Sequence, residues 1–339
     1  MAREAFGESS MQSESDLRLG IADAATLQAS LDYDALQQCW LAHLEIATRV
    51  SLLPAQPRSD ELTHLARLAE EASLRLQATQ VRLSDEVNRR FAAMVAITLD
   101  LDSITLALQQ SDVYTREHDR GSAYKRLESA RSLFAKVRES AAAEGPIRPE
   151  MRAHIEFTDA ALSRMFALES NPVQRVRWRA RAKRRLVRCL GFVEPHSLEG
   201  ALMLMEGARL ALTGVAMRNV RMPTTMLPLR RITTRFSPRW HRLRAARSQL
   251  LSANSVASAL GAEATQVGAL MLLVMVVGQL MSMEGNAVYL RQSGDYARSA
   301  LAISERLRDE MPNLLEQARA LPDWAQISTP MQIPPVLVD

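Results

Sequence analysis

A chain of 339 residues with 47% hydrophobic but only 5% aromatic content, 13 glycines and 16 methionines is long enough to bury a sizeable core and too poor in strand-forming residues for a β fold. Its formal charge of +4 hides a division: residues 174–248 carry 18 Arg or Lys against three acids, Glu194, Glu199 and Glu206, while the remainder carries 24 against 35. Two cysteines in such a length exclude a disulfide-built secreted scaffold, and the charge division directs attention to partners of negative charge.

Residues 1–30 are polar and Ser-rich with no charged-then-apolar leader, and read as a flexible N-terminal segment of a cytoplasmic protein. The first helix is expected from about Asp32 to Leu53, burying Leu36, Cys39, Trp40, Leu44, Ala47 and Val50 along one stripe. Pro54 and Pro57 interrupt it, and Ser59 followed by Asp60 and Glu61 is suited to starting the next helix. An apolar seam then runs through Leu62, Leu65, Ala69, Ala72 and Leu76, and on through Leu83, Val87, Phe91, Met94 and Ile97, which predicts one long helix or two nearly collinear ones. Helices are expected over about 119–143 and 149–168, with Pro149 in the first turn, where its missing N–H costs no hydrogen bond. Asn171-Pro172 closes this acidic helical-hairpin domain, residues 31–170.

Residues 171–320 form the expected basic and apolar helical domain. It opens with RVRWRARAKRR at 175–185, continues with an apolar helix over about 197–220, and passes through a long connection, 222–238, that contains three prolines. Further helices are expected at about 239–260, 264–290 and 295–311, with a short one at 314–319. The proline-rich tail, 321–339, reads as extended, with Trp324 able to dock. The fold class is therefore all-α, an elongated multi-helix bundle of helical hairpins.

Two Arg/Trp clusters stand out as binding residues. The first comprises Arg175, Arg177, Trp178, Arg179, Arg181, Lys183, Arg184, Arg185 and Arg188; the second comprises Arg230, Arg231, Arg235, Arg239, Trp240, Arg242, Arg244 and Arg247. Guanidinium groups interleaved with indoles suit nucleic acid, an anionic membrane surface or an acidic protein, each of which presents dense negative charge. The competing expectation is that these arginines pair with the chain's own acids as surface ion pairs, each worth about 0–1 kcal/mol.

Three resemblances bear on function. Residues 286–307, with Ala287 and Leu290 before Gly294-Asp295-Tyr296 and Ala300 and Ile303 after it, resemble a tetratricopeptide repeat hairpin, echoed at Tyr114, Ala123, Leu127 and Ala130, which implies protein binding. Residues 254–272 resemble a helix-turn-helix around Gly261, which implies a DNA-binding regulator, although after Thr265 and Gln266 the second helix, over 267–283, offers no Arg, Lys or Asn to base edges or phosphates. The polar leader is similar in composition to those of type III secretion substrates, which implies export without a Sec signal. The apolar run 267–283 is long enough to insert in a membrane as well as to form a bundle core.

No enzyme signature is read. Glu150 and His154 lack further ligands, Asp100 and Asp102 are expected at a solvated bend, and the remaining histidines are scattered. The expectation is a non-enzymatic interaction protein with no cofactor, metal or small-molecule substrate, binding a protein through its hairpins and a polyanion through residues 175–248.

Overall fold

The computed structural model describes residues 32–46, 49, 59–83, 85–145, 147–213, 237–284 and 286–321. Among them are eleven helices and no strand: α1 (residues 32–46), α2 (Ser59–Gln80), α3 (Glu86–Arg116), α4 (Arg120–Ala143), α5 (Pro149–Glu169), α6 (Pro172–Leu190), α7 (Leu198–Leu212), α8 (Pro238–Ala259), α9 (Glu263–Glu284), α10 (Ala287–Arg306) and α11 (Pro312–Arg319). The chain is an all-α multi-helix bundle. The expected segment 1–30, most of the connection 222–238 and nearly all of the tail 321–339 lie outside the described residues.

Short polar residues set the helix starts. Asp85, Asp119, Asn171, Ser197, Ser237 and Asn286 each stand before a helix and accept a hydrogen bond from one of its first free N–H groups. Packing then runs between consecutive helices from α2 to α11, and α3, α5, α7 and α9 each also touch the next member of the odd-numbered series, which ends at α11. The result is a serial stack. The odd helices begin at residues 86, 149, 198, 263 and 312, intervals without the period of about 34 residues that a tetratricopeptide array requires.

At the N-terminal end Leu36, Cys39 and Ile46 of α1 join Leu62, Leu65, Ala69 and Leu76 of α2 and Val95, Leu99 and Leu106 of α3 in one core. Trp40 and Leu44, expected on that buried stripe, are exposed with Tyr33 and Leu41 on the outer side of α1. The seam from Leu62 to Ile97 does not continue in one direction either. It folds back at residues 81–85, and Gln110 of α3 donates to Thr63 of α2 at 3.2 Å, so the two helices are antiparallel. Turn bonds from Arg82 to Thr79 and Leu83 to Gln80, followed by the Asp85 cap, end one helix and start the next.

The charge boundary at 170/171 is not a break in packing. It falls inside the α5–α6 hairpin, where Ala160 of α5, Ala182 and Leu186 of α6 and Leu210 of α7 share a core. In the C-terminal half α7 to α10 enclose a large apolar core, with α9 at its centre: Val267, Leu270, Leu273, Val274, Val277 and Leu280 are all buried. The run 267–283 is thus a core helix, apolar on every side because neighbours enclose it. By length and composition Glu86–Thr115 and Glu263–Glu284 could each cross a membrane, with 50% and 61% of their apolar windows buried.

The hairpin expected at Gly294-Asp295-Tyr296 is absent. Residues 287–306 form the single helix α10, and Tyr289, Ser293, Ala297, Ala300 and Ile303 make one continuous buried stripe across Gly294. An interior glycine costs about 1 kcal/mol against alanine, less than that stripe gains by burial. The turn at Gly261, φ +66°, does join two packed helices as expected. The second of them, α9, buries Val267, Leu270, Leu273 and Val274 and leaves Thr265 and Gln266 partly exposed.

Candidate anion-docking surface

Helix α6 contains no acid, is capped by Asn171, starts with Pro172 and buries only Ala182, Leu186 and Cys189. Its basic residues therefore radiate from the sides and back, and the structure sorts them into three groups with different fates.

Arg181 and Arg185 face α5. Arg181 donates from Nη2 to both oxygens of Asp159 at 2.9 and 3.2 Å and from Nε at 3.1 Å. Arg185 reaches Asp159 from Nε at 2.7 Å and both oxygens of Glu156 from Nη1 at 3.0 Å. Asp159 is only 1% exposed, so it requires these partners. These two partly exposed arginines are committed to the carboxylates of α5 rather than free for a partner. A parallel arrangement holds buried Glu206 of α7 between Arg164 of α5 and Arg209 of α7.

The indoles are likewise committed. Trp178 stacks on Phe166 with centroids 4.7 Å apart and has Arg131 and Arg181 at 5.9 and 5.5 Å from its ring. Trp240 is buried, donates its indole N–H to Glu284 and carries Arg244 at 4.8 Å from its ring. Neither ring is presented as a stacking platform for bases, because packing already occupies it. Tyr289 also donates to Glu284, and burial followed by that carboxylate's charge raises its pKa.

The second group lies toward α8. Arg175 donates from Nε to Ala167 O at 3.1 Å and from Nη2 to Ser170 O at 3.2 Å, satisfying carbonyls at the end of α5. Arg179 is half-buried, and its pKa is lowered first by burial and then by the charges of Arg242 and Arg175. Arg179 of the first sequence cluster and Arg242 of the second are thus near enough for their charges to act on one another. Further along α8, Arg239 donates to Gln279 at 2.6 Å and Arg247 to Gln292 at 3.3 Å, both neutral acceptors.

The third group, Arg177, Lys183, Arg184 and Arg188, is exposed on the outer side of α6, and none of the four has an ion-pair partner among the described residues. Elsewhere exposed arginines find acids: Arg49 with Glu45, Arg90 with Glu86, Arg298 with Asp295 and Arg306 with Glu263. Arg230, Arg231 and Arg235 lie outside the described residues.

Asp100 and Asp102 are not at a solvated bend but inside α3. Asp102 pairs with His43 of α1, and burial pushes the Asp100 carboxyl up to about 6 against the pull of Lys136. Among the described residues no three His, Cys, Asp or Glu side chains gather as metal ligands. The sequence reading missed Asp159. Its signal was an acid in the apolar stripe Ile155, Asp159, Leu162 and Phe166, where only a paired carboxylate is tolerated. Compared with known proteins, the chain matches no family model, no curated protein and no solved structure.

Proposed function

We propose that the protein is a non-enzymatic, cytoplasmic interaction module that docks on a polyanionic partner through the outer side of α6. One observation carries this reading: Arg177, Lys183, Arg184 and Arg188 are all exposed on a helix with no acid, while Arg181 and Arg185 beside them are already neutralised by carboxylates of α5. Uncompensated charge of one sign raises the local concentration of oppositely charged partners and steers their approach. Val173, Val176 and Val187, each more than 60% exposed on the same helix, favour an anionic membrane surface over nucleic acid, since the phosphate backbone offers nothing to valine whereas a lipid interface buries it. Tyr33, Trp40 and Leu41 on the exposed side of α1 make a separate apolar strip suited to a protein partner.

Vesicle flotation tests the reading. Wild type should float with phosphatidylserine vesicles at low salt and be released as salt screens the contact. Replacing Arg177, Lys183, Arg184 and Arg188 with Gln should abolish flotation without altering thermal stability. Flotation that survives those four changes refutes the assignment, and retention on DNA without any vesicle binding moves it to nucleic acid.

A further inference from the structure

Helix α4 packs on α5 and α5 on α6, and the three together line a cavity of about 110 Å³ that opens to solvent. Its walls are apolar: Phe134 of α4, Leu162 and Phe166 of α5, and Trp178 of α6, whose ring is stacked on that of Phe166. Three guanidiniums border the same space, Arg131 and Arg138 of α4 and Arg181 of α6. Arg131 and Arg181 lie 5.9 and 5.5 Å from the centre of the Trp178 ring, so arginines of two helices converge on one indole.

The three charges are not equally available. Arg181 is held by Asp159, which also receives Arg185, so the one acid that lines the cavity is already neutralised. Arg131 has Glu128 at 3.6 Å, but the two side chains are 55% and 41% exposed, and such a pair contributes about 0–1 kcal/mol. Arg138 is exposed and has no ion-pair partner among the described residues. The mouth of the cavity therefore offers two guanidiniums to a ligand, and its interior offers hydrocarbon.

We propose that this cavity binds a short-chain aliphatic carboxylate, with the carboxylate at Arg138 and Arg131 and the hydrocarbon end against Phe134, Leu162 and Phe166. The lining sets that class. Inorganic phosphate would leave the apolar walls unused, and a neutral hydrocarbon would leave the guanidiniums unused, whereas the two oxygens of a carboxylate match the planar N–H fork of arginine. Buried Asp159 disfavours a second anion beside it, which keeps the charged end outward. At about 110 Å³ the space is smaller than the cavity of about 150 Å³ that takes benzene, so the body is a chain of about four carbons rather than an aromatic ring. The site uses none of Arg177, Lys183, Arg184 and Arg188, and it stands whether or not the outer side of α6 docks on a surface.

Isothermal titration calorimetry of the full chain with butyrate is the test. Butyrate should bind saturably at one site, n-butanol should bind at least about tenfold more weakly because it lacks the charge, and inorganic phosphate at the same concentration should not displace butyrate. Arg138→Gln should weaken butyrate at least about tenfold. Ala135→Phe, at an exposed position on the rim of the cavity, should abolish binding by filling the space while all three guanidiniums remain. If Arg138 served stability alone, its replacement would lower Tm and leave the affinity for butyrate unchanged. The variant with Gln at 177, 183, 184 and 188 should bind butyrate like the wild type; loss of binding there would place the carboxylate on the docking side and overturn the assignment. No saturable binding, equal affinity for butanol, displacement by phosphate, or undiminished affinity in Arg138→Gln overturns it equally. Should Ala135→Phe fail to fold, Arg138→Gln decides the matter, because its side chain lies in solvent.

Discussion

Asp159 binds two guanidiniums from the neighbouring helix while itself only 1% exposed, which makes it the residue on which the α5–α6 hairpin is most sensitive. Asp159→Asn removes the charge but keeps the volume, leaving Arg181 and Arg185 short of a counter-ion. Breaking one side of a buried pair costs about 3–5 kcal/mol, to be read as urea unfolding that begins at lower denaturant around that joint. An effect below 1 kcal/mol would show that solvent reaches the site. The clusters of arginine were legible in the sequence, but their division was not: Arg181 and Arg185 pair across 22 and 29 residues of chain, and helical spacing on α6 alone gives no information about an acid on α5.

Asp100 provides a pH test at the same scale. Its folded pKa of about 6 lies above the ordinary carboxylate value of about 3.9, so folding favours the protonated form. The corresponding stability is complete below the unfolded value and is lost as pH rises through about 6. Asp100→Asn should therefore be more stable than the wild type at neutral pH and lose that advantage near pH 4. Tm measured at both pH values decides the point; equal stability at neutral pH would place the carboxyl in water.

At the scale of elements, two glycines in helices carry opposite expectations. A Cβ on Gly200 would lie 2.7 Å from the carbonyl oxygen of Glu194 and 3.0 Å from that of Pro195, both backbone atoms at the entry to α7. Gly200→Ala should destabilise by about 1–3 kcal/mol through overpacking. At Gly268 the near atom is the terminal methyl of Met205, 2.8 Å away, and a methionine end moves readily. Gly268→Ala should then be neutral or gain up to about 1 kcal/mol from helix propensity; denaturant titration of the pair checks both signs.

Helix starts at Ser59, Pro149 and Ser197 were visible in the sequence because a capping or first-turn residue acts locally. The reversal at residues 81–85 and the continuity of α10 through Gly294 were not, since each depends on which distant face the helix covers. The apolar seam from Leu62 to Ile97 has the same spacing whether the chain runs straight or folds back on itself.

Across the whole molecule, contacts between sequence neighbours make stability local, as in stacked helical proteins. The N-terminal core spans α1 to α3 and the C-terminal core α7 to α10, and between them stand the buried pairs of Asp159 and Glu206. Weakening that joint should separate the halves: Asp159→Asn is expected to turn a single calorimetric transition into two, and one sharp transition at lower temperature would argue for a fully cooperative fold.

The docking claim rests on position rather than on total charge, and one comparison isolates it. Two variants of equal net charge are titrated with heparin across a salt series: one carries Gln at Arg177, Lys183, Arg184 and Arg188, the other at the exposed Arg67, Arg120, Lys125 and Arg152. Loss of binding and of salt dependence in the first alone is the predicted result; equal losses in both would contradict it.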